Sequence, residues 1–98
     1  MNEISAKQLE EKMKKGEQVN IIDVREDFEV AEGKIPGAKH IPLGEVAERI
    51  DELDKDKHYY FVCRSGGRSG RACEYLEHLG YNVTNVEGGM LAWEGETE

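Results

Sequence analysis

Apolar runs of strand length recur at residues 19–24, 59–62 and 81–86, and the stretches between them carry helical stripes. Ala6, Leu9 and Met13 return at a helical spacing and mark one buried face. Ser5 is placed to cap that helix, with Gln8 at the capping-box position, and Gly16 is placed to stop it. Residues 26–33 read as a short acidic helix anchored by Phe28 and Val30, and residues 35–38 as a turn. Residues 40–43 read as a brief extended piece, and residues 45–53 as a helix with Val46, Ile50 and Leu53 inward. The charged run Asp54-Lys55-Asp56-Lys57 reads as a solvated turn. A helix over 69–79 buries Ala72, Cys73, Leu76 and Leu79, with Ser69 as its cap and Gly80 as its end. Gly88-Gly89 leads into a short helix bearing Met90, Leu91 and Trp93, and residues 94–98 are expected to fray. Strands alternating with helices predict an α/β fold with a mostly parallel sheet of four or five strands. The pattern does not set their order.

Chemistry concentrates in Cys63-Arg64-Ser65-Gly66-Gly67-Arg68-Ser69, where the run 59–62 ends and a helix begins. Two adjacent glycines let this loop curl, because glycine accepts backbone angles that other residues avoid. A curled loop opening into a helix aims several N–H groups at one point and makes an anion cradle. The nearest anion is the thiolate of Cys63. Three of the chain's five arginines, Arg64, Arg68 and Arg71, lie within this stretch and add positive charge. The expected result is a nucleophilic cysteine with a lowered pKa.

Composition narrows the surroundings. With 98 residues the chain reads as one domain, burying roughly 60–65% of its unfolded surface. The net charge of -8 argues against nucleic acid and anionic membrane as partners, and makes the arginine cluster informative. Two cysteines make no disulfide framework and no metal-ligand spacing, so neither metal nor cofactor is expected. Cys73 reads as a small core residue. No run has the length of a membrane span or the pattern of a signal peptide, which makes the cytoplasm the default expectation. Asp23 and Arg25, at the end of the run 19–24, read as a pair holding loops together; His40 reads as structural.

The loop 63–69 resembles the active-site loop of single-domain rhodaneses, which are sulfurtransferases. Ile21-Ile22-Asp23-Val24-Arg25-Glu26, Gly33-Lys34-Ile35-Pro36-Gly37-Ala38-Lys39-His40-Ile41-Pro42 and Gly88-Gly89-Met90-Leu91-Ala92-Trp93 resemble three further signatures of that family, in order. Together they span about residues 4–93. Lys34 departs from the family, where histidine is common. The resemblance implies a rhodanese-like three-layer domain over residues 1–98, with about five strands between helices. It implies Cys63 as nucleophile and sulfur carrier. Arg64, Ser65, Gly66, Gly67, Arg68 and Ser69 would then form the substrate cradle, Arg64 and Arg68 attracting an anionic donor. It also implies a small-molecule donor such as thiosulfate or a persulfide, and a thiol acceptor such as thioredoxin or glutathione.

An anion-cradled cysteine also suits phosphoryl or arsenate chemistry, and loop length separates the two. Four residues lie between Cys63 and Arg68, whereas cysteine-dependent phosphatases typically have five. A phosphoryl group with three peripheral oxygens needs the larger ring; a terminal sulfur fits the smaller. The spacing favours sulfur transfer. A third reading is a partner-dependent sulfur carrier with little turnover of its own, for which an exposed cysteine is expected.

Overall fold

The computed structural model describes residues 1–98. Its strands are β1 (Asn2–Ser5), β2 (Asn20–Asp23), β3 (Lys39–His40), β4 (His58–Val62) and β5 (Asn82–Glu87). They form one parallel sheet in the order β1-β5-β4-β2-β3. The helices are α1 (Ala6–Lys14), α2 (Asp27–Val30), α3 (Gly67–His78) and α4 (Gly89–Ala92).

The central strand β4 shows why the sheet is covered on both faces. Its side chains alternate, as the strand period of two requires. Tyr59 and Phe61 join Ala72, Cys73 and Leu76 of α3, together with Val46 and Leu53, in one apolar cluster. Tyr60 and Val62 join Ala6 and Leu9 of α1 in a second, against which Met90 and Trp93 pack. The result is the three-layer α/β arrangement. Phe61 has no exposed surface, and burying such a side chain contributes about 1.5–3 kcal/mol.

Strand order also locates the crevice. The chain leaves β2 toward β3 on one side and leaves β4 toward β5 on the other. Ligands of open parallel sheets bind at the strand C-termini where the winding reverses. Here that point brings the loop after β4 beside α2, which follows β2.

Local chemistry explains several elements. Ser5 and Gln8 exchange the two capping-box bonds at 3.0 Å each. The carboxylate of Asp23 is fully buried and accepts from Arg25 Nε and Nη2 at 3.0 and 2.8 Å. Arg25 Nη2 also donates to the Gly33 carbonyl at 2.8 Å, so this pair holds the turn after α2. A buried ion pair needs such added bonds to offset its desolvation. His40 Nε2 lies 2.6 Å from the Arg25 carbonyl and completes the same corner.

The structure differs from the sequence reading in six places. Residues 2–5 form β1, because an edge position beside β5 supplies backbone partners that local pattern does not show. The segment 45–53 is not one helix: two 3-10 turns, Leu43–Glu45 and Ile50–Glu52, bury Val46 and Leu53 by tertiary packing. Phe28 is no anchor, since α2 is a single turn and leaves it 72% exposed. Leu79 lies beyond the end of α3 and is exposed. Ser69 is not the helix cap; α3 begins two residues earlier, behind Gly66 at φ 105°. The C-terminal segment is tied down: Lys34 and Glu98 exchange backbone bonds at 3.2 and 2.8 Å, and their side chains pair. No helix is long and apolar enough to cross a membrane.

Candidate active site

Cys63 follows the last residue of β4, and its side chain turns into the apolar cluster under α3. The residue is 1% exposed, so the sulfur is recessed rather than exposed as expected of a carrier. The Gly66 N–H donates to Sγ at 3.1 Å, and the Ser69 hydroxyl lies 3.3 Å from it. Burial by itself pushes the Cys63 thiol up. Hydrogen bonds from the Ser69 hydroxyl and from the amides of Ser69, Gly66 and Ser65 outweigh it and hold the pKa below the ordinary thiol value.

The loop adopts this shape because α4 holds its outer side. The Met90 and Leu91 amides donate to the carbonyls of Cys63 and Arg64 at 2.9 and 3.0 Å. In a trans peptide the N–H points opposite the C=O, so drawing these carbonyls outward turns the next amides inward. Such an approach requires glycine at position 89: a Cβ there would meet the Arg64 carbonyl oxygen at 2.7 Å. Gly66, with its positive φ, lets the chain turn from the loop into α3.

Asn85 on β5 braces the inner side. Its Nδ2 donates to the Gly66 carbonyl at 3.1 Å, and its Oδ1 accepts from the Ser69 hydroxyl at 2.5 Å. The single Ser69 proton has two acceptors in reach, Asn85 Oδ1 and the sulfur.

The arginines divide. Arg68 donates through Nη1 and Nη2 to the two oxygens of Glu29 at 2.6 and 2.9 Å, a bidentate pair joining α3 to α2. The Arg68 hydrogen bonds hold the Glu29 carboxyl down to about 2, and the same bonds raise Arg68. Arg64 and Arg71 are exposed and have no carboxylate partner. Ser65 and Gly67 lie on the exposed rim. Of the expected loop residues, Ser65, Gly66 and Ser69 act on the sulfur directly, whereas the Arg68 side chain is taken up by Glu29 and Arg64 and Gly67 lie on the exposed surface.

Sequence reasoning missed Glu29, Asn85 and the reason for Gly89. A polar Thr84-Asn85 pair inside an apolar strand was the one available signal for Asn85. The largest cavity, about 550 Å³, lies elsewhere: Asn2, Glu11 and His58 line it at the N-terminal ends of β1 and β4. It holds mixed charges and no thiol, so the sulfur and its donors mark the chemistry better than volume does. No group of three or more His, Cys, Asp or Glu side chains is arranged to hold a metal ion.

Residues 5–96 match a family model described as a rhodanese-like domain. The protein YtwF of Bacillus subtilis (strain 168) is 55% identical over 98 residues, covering 100% of this chain and 95% of its own. A protein of Allochromatium vinosum named sulfurtransferase is 39% identical over 94 residues, covering 95% of this chain and 88% of its own. The crystal structure of a rhodanese-like domain protein from Staphylococcus aureus is similar at a TM-score of 0.95 and 42% identity, covering 100% of this chain and 97% of that one.

Proposed function

The chain belongs to the rhodanese-like family of sulfurtransferases, and on that premise we propose that Cys63 carries sulfane sulfur as a persulfide between a donor and a thiophilic acceptor. The observation that carries this reading is the convergence of the Gly66 amide and the Ser69 hydroxyl on Sγ at 3.1 and 3.3 Å. Donors placed this way stabilise negative charge on sulfur before and after transfer.

In the first half-reaction the Cys63 thiolate attacks the outer sulfur of thiosulfate or of an organic persulfide. A bond forms between Sγ and that sulfur, the donor's S–S bond breaks, and sulfite or a thiolate leaves with the electron pair. In the second, a thiol such as thioredoxin or glutathione, or cyanide in an assay, attacks the same outer sulfur and returns the Cys63 thiolate. The carried sulfur keeps its oxidation level, so no outside oxidant or reductant is needed. Arg64 draws in anionic donors, and the inward amides hold the transferred sulfur. A recessed Sγ suits a donor that reaches in with one atom. A reducing, cytoplasmic setting belongs to this reading, because it keeps such a thiol from oxidation.

A second reading, a sulfur carrier serving a protein partner, is favoured by Phe28 and Leu91. They are 72% and 64% exposed, on the two short helices that hold the loop. Comparing turnover on free donors with turnover on a protein persulfide separates the two.

Intact mass measurement tests the common core. Treatment with a sulfur donor should add the mass of one sulfur atom, cyanide should remove it, and Cys63→Ser should never show it. Failure of every donor to load Cys63, together with efficient aryl-phosphate hydrolysis through Cys63, would sink the reading in favour of phosphatase chemistry.

A further inference from the structure

We propose that Glu29 is a positioning residue that sets donor specificity: by filling the fork of Arg68 it suits the site to organic persulfides over the thiosulfate dianion. The inference rests on the sulfur-transfer reading above and narrows its donor.

Glu29 is not a loose surface acid. Its side chain is 14% exposed, and three donors hold it. Two are the Arg68 nitrogens, and the third is the Glu26 amide at 3.0 Å. Both ends of the Arg68 fork that face Glu29 are therefore occupied. An anion seeking Arg68 must displace a carboxylate that two helices keep in place. Glu26, at the start of the same turn, adds a second carboxylate whose charge acts on Arg68. The free cations that remain are Arg64 on the loop and Arg71 a turn along α3.

The two donors ask for different amounts of positive charge. Thiosulfate meets the Cys63 thiolate with two negative charges of its own, and sulfite departs with two. A persulfide R–S–SH passes its outer sulfur and proton to Sγ, and the leaving thiolate departs with one. A mouth whose second cation is neutralised favours the second course. The exposed Phe28, next to Glu29, and the exposed Leu91 offer apolar surface to the organic body R. Thiosulfate has no apolar part to use it.

The test compares kcat/KM for thiosulfate with kcat/KM for the persulfide of 2-mercaptoethanol, whose body carries no charge. The wild type should prefer the persulfide. Glu29→Gln keeps an oxygen for the Glu26 amide but releases the Arg68 charge. It should raise the thiosulfate-to-persulfide ratio about five-fold, as one partly exposed charge contact allows, through KM for thiosulfate rather than kcat. Adding Arg68→Gln should cancel the gain, because Glu29 acts through Arg68. Glu11→Gln removes the same charge at the far end of the sheet and should leave the ratio where it is. A wild type that prefers thiosulfate, or a loaded Glu29→Gln protein with a flat ratio, overturns the specificity role alone. A wild type in which neither donor loads Cys63 overturns the proposed function and this inference together. If Glu29→Gln fails to fold, a wild type that prefers thiosulfate still overturns the role, and Arg68→Gln alone, which removes the cation that Glu29 acts through, should leave the wild-type ratio nearly unchanged.

Discussion

Cys63 and Cys73 sit in the same apolar cluster, 1% and 0% exposed, yet they differ in chemistry. Cys73, in the middle of α3, is pushed up to about 12, first by burial and then by the charges of Glu77, Cys63 and Glu3. Cys63 suffers burial too and still ends below the ordinary value. The difference is not solvent. The helical amides near Cys73 are already committed to backbone carbonyls, whereas those of the 63–69 loop are turned inward and free to meet a sulfur. The lowered thiol of Cys63 follows from the conformation of the backbone around it.

The largest effect expected from breaking this contrast is loss of function at one sulfur only. Cys63→Ser should abolish thiocyanate formation from sulfur donor and cyanide, while Cys73→Ser should keep most of it at a stability cost of about 1–3 kcal/mol for a buried hydroxyl. Iodoacetamide near neutral pH, followed by peptide mapping, should label Cys63 and spare Cys73. Equal labelling in the folded protein would erase the distinction.

A smaller effect comes from making Cys63 more like Cys73. Ser69→Ala removes one donor to the sulfur, and a hydrogen bond to a charged group is worth about 1.5–3 kcal/mol, roughly ten-fold or more in the thiolate equilibrium. The midpoint of alkylation rate against pH should therefore move up, and sulfur transfer at a fixed pH below it should fall. An unmoved midpoint would leave the backbone amides as the sole cause.

The smallest effect concerns the pair that latches the loop. Glu29 has its carboxyl pKa lowered from 4.5 to about 2, so its contribution to stability is complete above about 4.5 and disappears as pH falls toward 2. Denaturant unfolding across that window should lose a component in the wild type that Glu29→Gln lacks. The pair is partly exposed, so the component is modest. Parallel stability curves for the two proteins would show that the latch adds nothing.

Much of this was written locally. The apolar run of residues 59–62, the capping box of Ser5 and Gln8, and the curl of Cys63 to Ser69 all follow from residues near one another in the chain. Secondary structure type and the loop nest depend on backbone sterics and on bonds spanning a few residues, and such information is readable from sequence. The family resemblance extended it to the fold.

What tertiary structure alone decided involves partners far apart in the chain. Glu29 meets Arg68 across 39 positions, and Ser69 meets Asn85 across 16. The edge strand 2–5 exists because β5 offers it a ladder, and the 43–53 segment follows the core rather than its helical pattern. In each case the interaction depends on which strands lie side by side, and the order β1-β5-β4-β2-β3 leaves no periodic trace in the chain. The lowered thiol of Cys63 was therefore largely a local property of the 63–69 loop. Which of its arginines stay unpaired was set only when α2 came to rest beside α3.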